Sequence, residues 1–518
     1  MRISPKRCGM PVPSKLSETL LWQAYEVDLK RHPLFLMRLT QALSESMAYV
    51  TLLDAPLCEA SPLHQWGLAG YGNSDSIQRL DVVHQQVYVN AQAQGVRIHQ
   101  ASELNEVLEN WLNEQAQSLD APSDLDFLPD FLPSTSGIFA QLSYEASWLW
   151  HDKLASLSAM PQSQPAVATH RFIRYTHRLV MDYQNGVLYA ITTSQDEQAR
   201  IATTINQLLQ EERSTPDFAF QDFQPTWLDA YTPSLSQADF EAGVEQIKAW
   251  IEAGELYQAN LSVQWQRQAS LEPWRLFEAL THRNPSPFAG LWKSPQGWVL
   301  SNSPERLIKQ DAGVLSTRPI AGTRSRGQTA EAERLLEAEL LSLEKERAEH
   351  LMLVDLERND LGKVCQAGTV HVDELMSVER YSHVTHVVSN VEGRQAEGVS
   401  QVAILDALFP GGTITGCPKL RCIQKLAELE QTARGVYTGS MGYIDTQAQH
   451  MDFNILIRTI HLLPIKPFQY TPADVDVQPY CVRLQAGAGI VYDSAPRAEW
   501  KESLKKAKAL LEAIESVL

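Results

Sequence analysis

SQADFEAGVEQIKAWIEAGELYQANLSVQWQ, residues 236–266, changes its hydrophobic period partway along. In the first half Phe240, Val244, Ile247 and Ile251 recur at helical spacing on one face. Ser236 stands where an N-cap belongs, and Gly254 where a helix ends. In the second half Tyr257, Ala259, Leu261, Val263 and Trp265 alternate with Gln258, Asn260, Ser262 and Gln264. A period of two predicts a half-buried strand. Further on, a long helix is predicted over about 329–360 and another from Ser494 to the C-terminus, with strands filling much of the interval. Strands and helices mix without regular βαβ alternation. The predicted class is therefore α+β, with large layered antiparallel sheets flanked by helices.

Upstream, RFIRYTHRLVMDY (171–183) and GVLYAITT (186–193) read as two strands meeting at Gln184-Asn185-Gly186, where Asn-Gly favours a hairpin turn. EERSTPDFAFQDFQPTWLDAYTPSLSQ (211–237) is rich in Pro, Ser and Asp and reads as a connector. These signals divide the chain into an N-terminal region (1–215), a connector (216–236) and a second domain (237–518). LPIKPFQYTPADVDVQP (463–479) is expected to be an extended hairpin loop, and there is no internal repeat.

A chain of 518 residues exceeds one small core, so two domains or one large layered domain is expected. With 44 Lys and Arg against 62 Asp and Glu, the formal charge is −18, which argues against a nucleic-acid or anionic-membrane partner. An anionic substrate would need local positive charge against that field. Six cysteines lie scattered without a C-x-x-C pair, so neither zinc nor a disulfide framework is expected, and a reducing cytoplasm fits. The basic N-terminus lacks the apolar core of a signal peptide, and no run is long enough to span a bilayer.

Several residues could carry chemistry. MDFNILIRTIHLL (451–463) reads as a nearly continuous apolar strand holding one permanent cation, Arg458, which needs a carboxylate from the protein or from a ligand. An internal ion pair is the plainer expectation. Glu346 and Glu349 stand three apart on the 329–360 helix, bordering its apolar stripe, and could hold a hard cation or simply form a solvated flank. Glu499 and Glu502 repeat the spacing. There Trp500, Leu504, Ala507 and Leu511 look like the core stripe, with the glutamates pointing away beside Lys506. Three glycine-rich stretches, PIAGTRSRG (319–327), FPGGTITGCPK (409–419) and LQAGAGIVYDS (484–494), could bring amides close to an anion or be tight turns; none is a P-loop or a dinucleotide fingerprint.

Taken in order, YQANLS, SNSPERLI, PIAGTR, EHLMLVDLERNDLG, VERYSHVTHVVSNV, FPGGTITGCPK, TGSMGYI, MDFNILIRT, AGAGIV and EWKESLKKA run from about residue 237 to the end. Together they resemble the chorismate-utilising enzyme family of anthranilate, aminodeoxychorismate, isochorismate and salicylate synthases. The N-terminal half is loosely similar through LLDAP, QLSYEASW and the 171–193 hairpin. The resemblance implies an anthranilate synthase component I-like α/β sandwich that binds chorismate with Mg2+. It carries the metal ligands onto Glu349 and Glu502, with Glu346 and Glu499 as supporting or water-mediated partners. Glu305 matches the general acid for the C4 hydroxyl. Arg458 and Tyr437 match the residues that hold the pyruvyl carboxylate. The amides of Gly487 and Gly489, with Lys506, would complete an anion cradle lined by Thr415 and His386, and Thr323 of PIAGTR falls at a catalytic position.

Two positions discriminate within the resemblance. Gln258 stands where isochorismate and salicylate enzymes carry a water-activating lysine; a neutral amide favours ammonia, delivered by a separate glutamine amidotransferase subunit. YQANLS, FPGGTITGCPK and the serine-free LLDAP point to aminodeoxychorismate synthases of folate and p-aminobenzoate synthesis, whereas VERYSHVTHVVSNVEG points to anthranilate synthases. Ala321 replaces a lysine nucleophile found in many aminodeoxychorismate synthases, leaving either ammonia or another amine such as Lys419 to act. A reading of another class is a non-catalytic chorismate-binding or scaffold subunit.

Overall fold

Ser236 caps a helix over Gln237–Glu252, its hydroxyl accepting the Asp239 N–H at 3.1 Å. Phe240, Val244 and Ile247 are fully buried on its inner face, each worth roughly 2 kcal/mol of apolar burial. Gly254 follows at φ +75, a left-handed conformation that side chains resist. The predicted strand extends over Gln258–Leu271. It is not half-buried. Ala259, Leu261, Val263 and Trp265 are buried on one face, and Gln258, Asn260 and Ser262 on the other. The alternation separates an apolar interior from a polar one.

The computed structural model describes residues 21–54, 66–117, 137–157, 161, 168–211, 218–325, 329, 331, 334–335, 338, 344–380, 384–430, 432–465 and 478–518. Two twelve-stranded sheets carry the fold, and their pairings are antiparallel. The first runs Leu21–Glu26, Val187–Thr192, His177–Asp182, Trp66–Gly72, Tyr49–Leu53, Phe288–Ser294, Gly297–Ser303, Thr459–Pro464, Gln478–Ile490, Gln258–Leu271 and Thr232–Pro233, with Gly416–Cys417 beside Gln258–Leu271. The second runs Ile320–Ser325, Val384–Arg394, Val314–Thr317, Arg306–Asp311, His450–Asn454, Ser440–Asp445, Ile138–Leu142, His170–Tyr175, Ile77–Val83, Gln86–Val89 and Gln92–Arg97, with His371–Arg380 beside Val384–Arg394. Strands from before and after the connector join both sheets: Tyr49–Leu53 pairs Phe288–Ser294, and Ile138–Leu142 pairs Ser440–Asp445.

The layers are helix, sheet, sheet, helix. Phe35–Ser44, Gln195–Gln210, Gln237–Glu252, Pro273–Arg283 and Pro496–Glu515 share one core with the first sheet. Ala101–Gln117, Glu344–Leu361 and Gln401–Leu408 share another with the second. Between the sheets Tyr49, Leu68, Val180 and Trp292 of the first meet Ile77, Phe139, Tyr175 and Met441 of the second. The α+β prediction is borne out. No described helix is long and apolar enough to cross a membrane.

Two runs that read as single strands are each two. RFIRYTHRLVMDY breaks at Thr176, with His170–Tyr175 in the second sheet and His177–Asp182 in the first. MDFNILIRTIHLL breaks between His450–Asn454 in the second sheet and Thr459–Pro464 in the first. Both faces of each sheet are covered here, so the chain changes sheets without a polar break in its sequence. The predicted hairpin at Gln184-Asn185-Gly186 does form, with Gly186 at φ +66. The connector is less plain than expected: it holds a 3-10 turn over Pro225–Ala230, and Thr232–Pro233 forms a sheet edge. The middle of the predicted 463–479 loop and much of 326–343 lie outside the described residues.

Candidate active site

Two crossings between the sheets lie side by side. One joins Gly297–Ser303 to Arg306–Asp311 and contains Glu305; the other joins His450–Asn454 to Thr459–Pro464 and contains Arg458. Asn302 N–H donates to the Arg458 carbonyl at 3.1 Å and Ile455 N–H to the Glu305 carbonyl at 3.0 Å. The Ser303 hydroxyl donates to the Ile455 carbonyl at 2.6 Å. Backbone bonds thus hold the acid and the guanidinium at one place between the sheets.

Burial pushes the Glu305 carboxyl up to about 7, partly offset by the Thr413 hydroxyl and the Lys506 charge. It can hold or release a proton near neutrality. Arg458 takes φ +52. Burial lowers its pKa, and Tyr437 opposes that shift. The internal ion pair that is the plainer expectation for Arg458 does not occur among the described residues. Its charge instead helps burial push neighbouring His386 down to about 4, a neutral imidazole at pH 7. Burial raises the Tyr437 phenol well above its ordinary value, so it stays a neutral donor.

The Gln258 amide donates to the Glu349 carboxylate at 3.3 Å. Room for this contact comes from Gly489, where a Cβ would stand 2.7 Å from Gln258 Nε2 and 3.6 Å from Glu349 Oε1. Two residues back, a Cβ on Gly487 would stand 2.4 Å from the Leu261 carbonyl. Lys506 donates to the Gly487 carbonyl at 3.1 Å and pairs with Glu502 at 2.8 Å. Glu349, on Glu344–Leu361, therefore lies beside Gly489, while Glu502, on Pro496–Glu515, is tied to Gly487 through Lys506. Beyond Leu484 the glycine strand pairs only with Gln258–Leu271 among the described residues. Its other edge therefore has no strand partner beyond Leu484 among the described residues.

Glu499 is buried, not turned to solvent as expected: it lies on a row with Ser503, Ala507 and Leu511, while Trp500 and Leu504 are only partly buried. Thr415 is fully buried, its hydroxyl on the Gly411 carbonyl at 2.8 Å and its carbonyl accepting Asn260 N–H at 3.0 Å. Ala321 and Thr323 lie on Ile320–Ser325, opposite Val387 and His386, with an irregularity between them at Gly322. Their side chains, and that of Glu346 on Glu344–Leu361, lie outside the described ones. Lys419 is not a free amine. It bridges Asp360 at 2.6 Å and donates to the Leu408 carbonyl at 2.8 Å.

Two residues escaped sequence reasoning. Buried Arg434 donates to the Asn260 carbonyl at 2.7 Å and the Ile414 carbonyl at 3.1 Å, pairs with Glu430 at 2.7 Å, and stacks on Tyr144 and Tyr437. It ties the Gln258 strand, the Thr415 loop and the Tyr437 loop together. Glu357 is buried beside the site, pushed up to about 8 by burial, then by the charges of Asp360 and Glu305. The available signal was a second cation in a glycine-flanked loop, ARGVYTGS, of the same kind as Arg458.

Carboxylate oxygens, such as that of Glu349 beside Gly489, are ligands of the type a hard cation such as magnesium takes together with water and substrate oxygens. No closed cage of three or more His, Cys, Asp or Glu exists among the described residues. The donor chemistry fits an ion completed by its ligand.

Residues 75–512 match the chorismate binding enzyme family. The chain is 43% identical over 397 residues to an anthranilate synthase component I-like protein of Synechocystis sp., covering 75% of each. It is 38% identical over 402 residues to aminodeoxychorismate synthase component 1 of Bacillus subtilis, covering 77% of this chain and 80% of that one. Among solved structures, anthranilate synthase component I from Streptococcus pneumoniae aligns with a TM-score of 0.66 at 26% identity, over 87% of this chain and 93% of that one. The menaquinone-specific isochorismate synthase of Escherichia coli aligns with a TM-score of 0.63 at 17% identity, over 96% and 95%, a likeness of fold.

Proposed function

We infer that this chain, which belongs to the chorismate binding enzyme family, converts chorismate and ammonia to 4-amino-4-deoxychorismate for p-aminobenzoate and folate synthesis. At the coarser level it is a chorismate-utilising enzyme of the anthranilate synthase and aminodeoxychorismate synthase kind. The neutral Gln258 amide on Glu349 carries the choice of ammonia over water, and YQANLS, FPGGTITGCPK and the serine-free LLDAP favour the folate branch within it. An amide cannot deprotonate water, so ammonia, already a nucleophile, is the favoured attacking group. A separate glutamine amidotransferase subunit would supply it.

Each residue then has a task. Arg458 and Tyr437 hold the pyruvyl carboxylate, an anion for a guanidinium that no carboxylate bridges among the described residues. Gly487 and Gly489 present backbone amides to the ring carboxylate. Glu305 gives its proton to the departing C4 hydroxyl, a transfer suited to a carboxyl pushed up to about 7. Neutral His386, Thr415 and Thr323 line the ring. Glu349 and Glu502, with Glu346 and Glu499 behind them, would hold magnesium; when bound, the ion neutralises the ring carboxylate and favours loss of the hydroxyl. With alanine at 321 and Lys419 engaged by Asp360, ammonia serves in both displacements.

Anthranilate synthesis is the second reading, favoured by VERYSHVTHVVSNVEG and by Ala321, which that reaction leaves without a lysine to replace. The experiment is to incubate the purified chain with chorismate, magnesium and an ammonium salt, and identify the product by mass spectrometry and fluorescence. A 4-amino-4-deoxychorismate product, yielding p-aminobenzoate only after a lyase is added, supports the folate reading. Anthranilate with pyruvate overturns it in favour of the tryptophan branch, and no turnover favours a non-catalytic chorismate-binding subunit.

A further inference from the structure

In the proposed reaction Glu305 spends its proton once per turnover on the departing C4 hydroxyl. Glu305 is buried between the sheets, so its proton has to return through the protein or wait until the site empties. A second carboxyl stands behind it. Glu357 is on the buried face of Glu344–Leu361. The loop after Gln401–Leu408 is seated on that helix, Gly412 having no room for a Cβ beside Leu356. The next residue of the loop, Thr413, has its hydroxyl beside Glu305. Thr317, at the end of Val314–Thr317, has its hydroxyl beside Glu357. That strand end pairs with Arg306–Asp311, the strand that leaves Glu305, with Ser316 opposite Lys309. Glu305 and Glu357 thus lie within reach of each other's charge, with a threonine hydroxyl beside each.

Among the described residues no lysine or arginine bridges either carboxyl, because the neighbouring cations are committed to other anions. Lys419 and Lys363 each hold Asp360 at 2.6 Å, Arg318 holds Glu374 at 2.7 Å, and Lys506 holds Glu502 at 2.8 Å. Burial and the charge of Lys419 push nearby His151 down to about 4, so it is neutral at pH 7. A buried acid without a cation keeps its proton. Burial, then the charges of Asp360 and Glu305, push Glu357 up to about 8 against the pull of Lys419. It stays protonated where Glu305, at about 7, has begun to ionise. The Thr317 and Thr413 hydroxyls are buried and neither has a hydrogen-bond partner among the described residues. A hydroxyl both donates and accepts, so each can serve its carboxyl in either protonation state.

We propose that Glu357 is the proton carrier behind Glu305, passing its proton to the acid after each turnover and refilling from solvent. The Glu357 O–H bond breaks, an O–H bond forms on the Glu305 carboxylate, and no other bond changes. The Glu357 carboxylate then regains a proton at the solvent end of the cluster. Asp360 stands three residues further along the same helix, and the Lys363 side chain that holds it is 49% exposed. Glu357 acts through Glu305, as a positioning residue for the acid's proton. The proposal rests on reading Glu305 as the acid.

The test is rapid chemical quench of the full chain with chorismate, magnesium and an ammonium salt near neutral pH, counting either amino product per site. Glu357→Gln keeps the shape and removes the carried proton. Its first turnover, made with the proton already on Glu305, is expected at the wild-type rate, and its steady state to slow roughly tenfold or more. The ratio of the two rates rises accordingly, with a solvent deuterium effect on the slow phase. Glu357→Asp, which keeps a carboxyl, is expected to bring the ratio back toward wild type. Glu357→Met carries the same expectation as glutamine and covers poor folding of the first variant. An unchanged ratio in the glutamine and methionine variants, or both rates falling together as lost packing would cause, overturns the carrier and leaves the proposed reaction standing. Wild-type turnover in Glu305→Gln, or no turnover by the wild type, overturns the reading of the acid and the carrier with it.

Discussion

The Ile455 N–H donates to the carbonyl of Glu305 at 3.0 Å, and this bond joins the two crossings on which the candidate chemistry stands. Ile455 lies three residues before Arg458, and Glu305 three residues after Asn302, whose N–H meets the Arg458 carbonyl. The spacing of acid and guanidinium is therefore set by main chain, leaving both side chains for a ligand. Preorganisation of this kind leaves little to rearrange on binding.

Arg458→Gln is expected to weaken chorismate binding without weakening the fold. A buried guanidinium that finds its anion in the ligand contributes about 2–3 kcal/mol to that complex, so KM should rise roughly 30- to 150-fold. Because no described carboxylate bridges Arg458, the urea midpoint should hold or rise. An unfolding free energy lower by several kcal/mol, with KM unchanged, would mean that the arginine serves an internal ion pair.

Glu305→Gln separates catalysis from stability through pH. The carboxyl moves from its ordinary 4.5 to about 7 on folding, so the folded state binds the proton more tightly. Below pH 4.5 both states are protonated and nothing is lost. As pH rises through 7 the wild type loses stability, reaching about 3 kcal/mol for this group. Glutamine does not titrate. The variant should gain stability relative to wild type between pH 5 and pH 8 while losing 10²-fold or more in kcat. Urea denaturation at the two pH values checks the first expectation, and a stability difference independent of pH would contradict it.

What could be read in advance was whatever local chemistry decides. The helix bounded by Ser236 and Gly254 follows from its cap, stripe and stop, and the Gln258 strand from its period. The crossings at Thr176 and at 455–458 could not be read, because an apolar run passing between two covered sheets looks like one strand. Glu499 was misplaced for a related reason: the buried row of its helix begins with the polar Glu499 and Ser503 before Ala507 and Leu511, so polarity did not mark the exposed face. Arg458 was legible as an isolated cation in an apolar run. Arg434 carried the same kind of signal in ARGVYTGS, but Glu430 four residues before it offers an ordinary i,i+4 partner, which hid its contact with the Asn260 carbonyl.

Gly489→Ala is expected to act on Gln258 and Glu349 together. The new Cβ would stand 2.7 Å from Gln258 Nε2, closer than packing allows, and would drive the amide off Glu349. Losing a hydrogen bond to a charged group amounts to about 1.5–3 kcal/mol. The magnesium concentration for half-maximal turnover should rise roughly tenfold or more, with the thermal midpoint of the apoprotein little changed. A magnesium titration identical to wild type would dissociate Glu349 from the metal.

Lys419→Met tests whether this lysine is structural or a hidden nucleophile. Its ammonium lies 2.6 Å from Asp360, a carboxylate also held by Lys363 at 2.6 Å. Removing one of two cations leaves the buried Asp360 half-neutralised and the Leu408 carbonyl without its donor, a loss of roughly 2–4 kcal/mol. The urea midpoint should fall accordingly, and peptide mapping of the wild type during turnover should find Lys419 unmodified. A substrate adduct on Lys419 would mean that it leaves Asp360 during the reaction, and ammonia would then no longer account for both displacements.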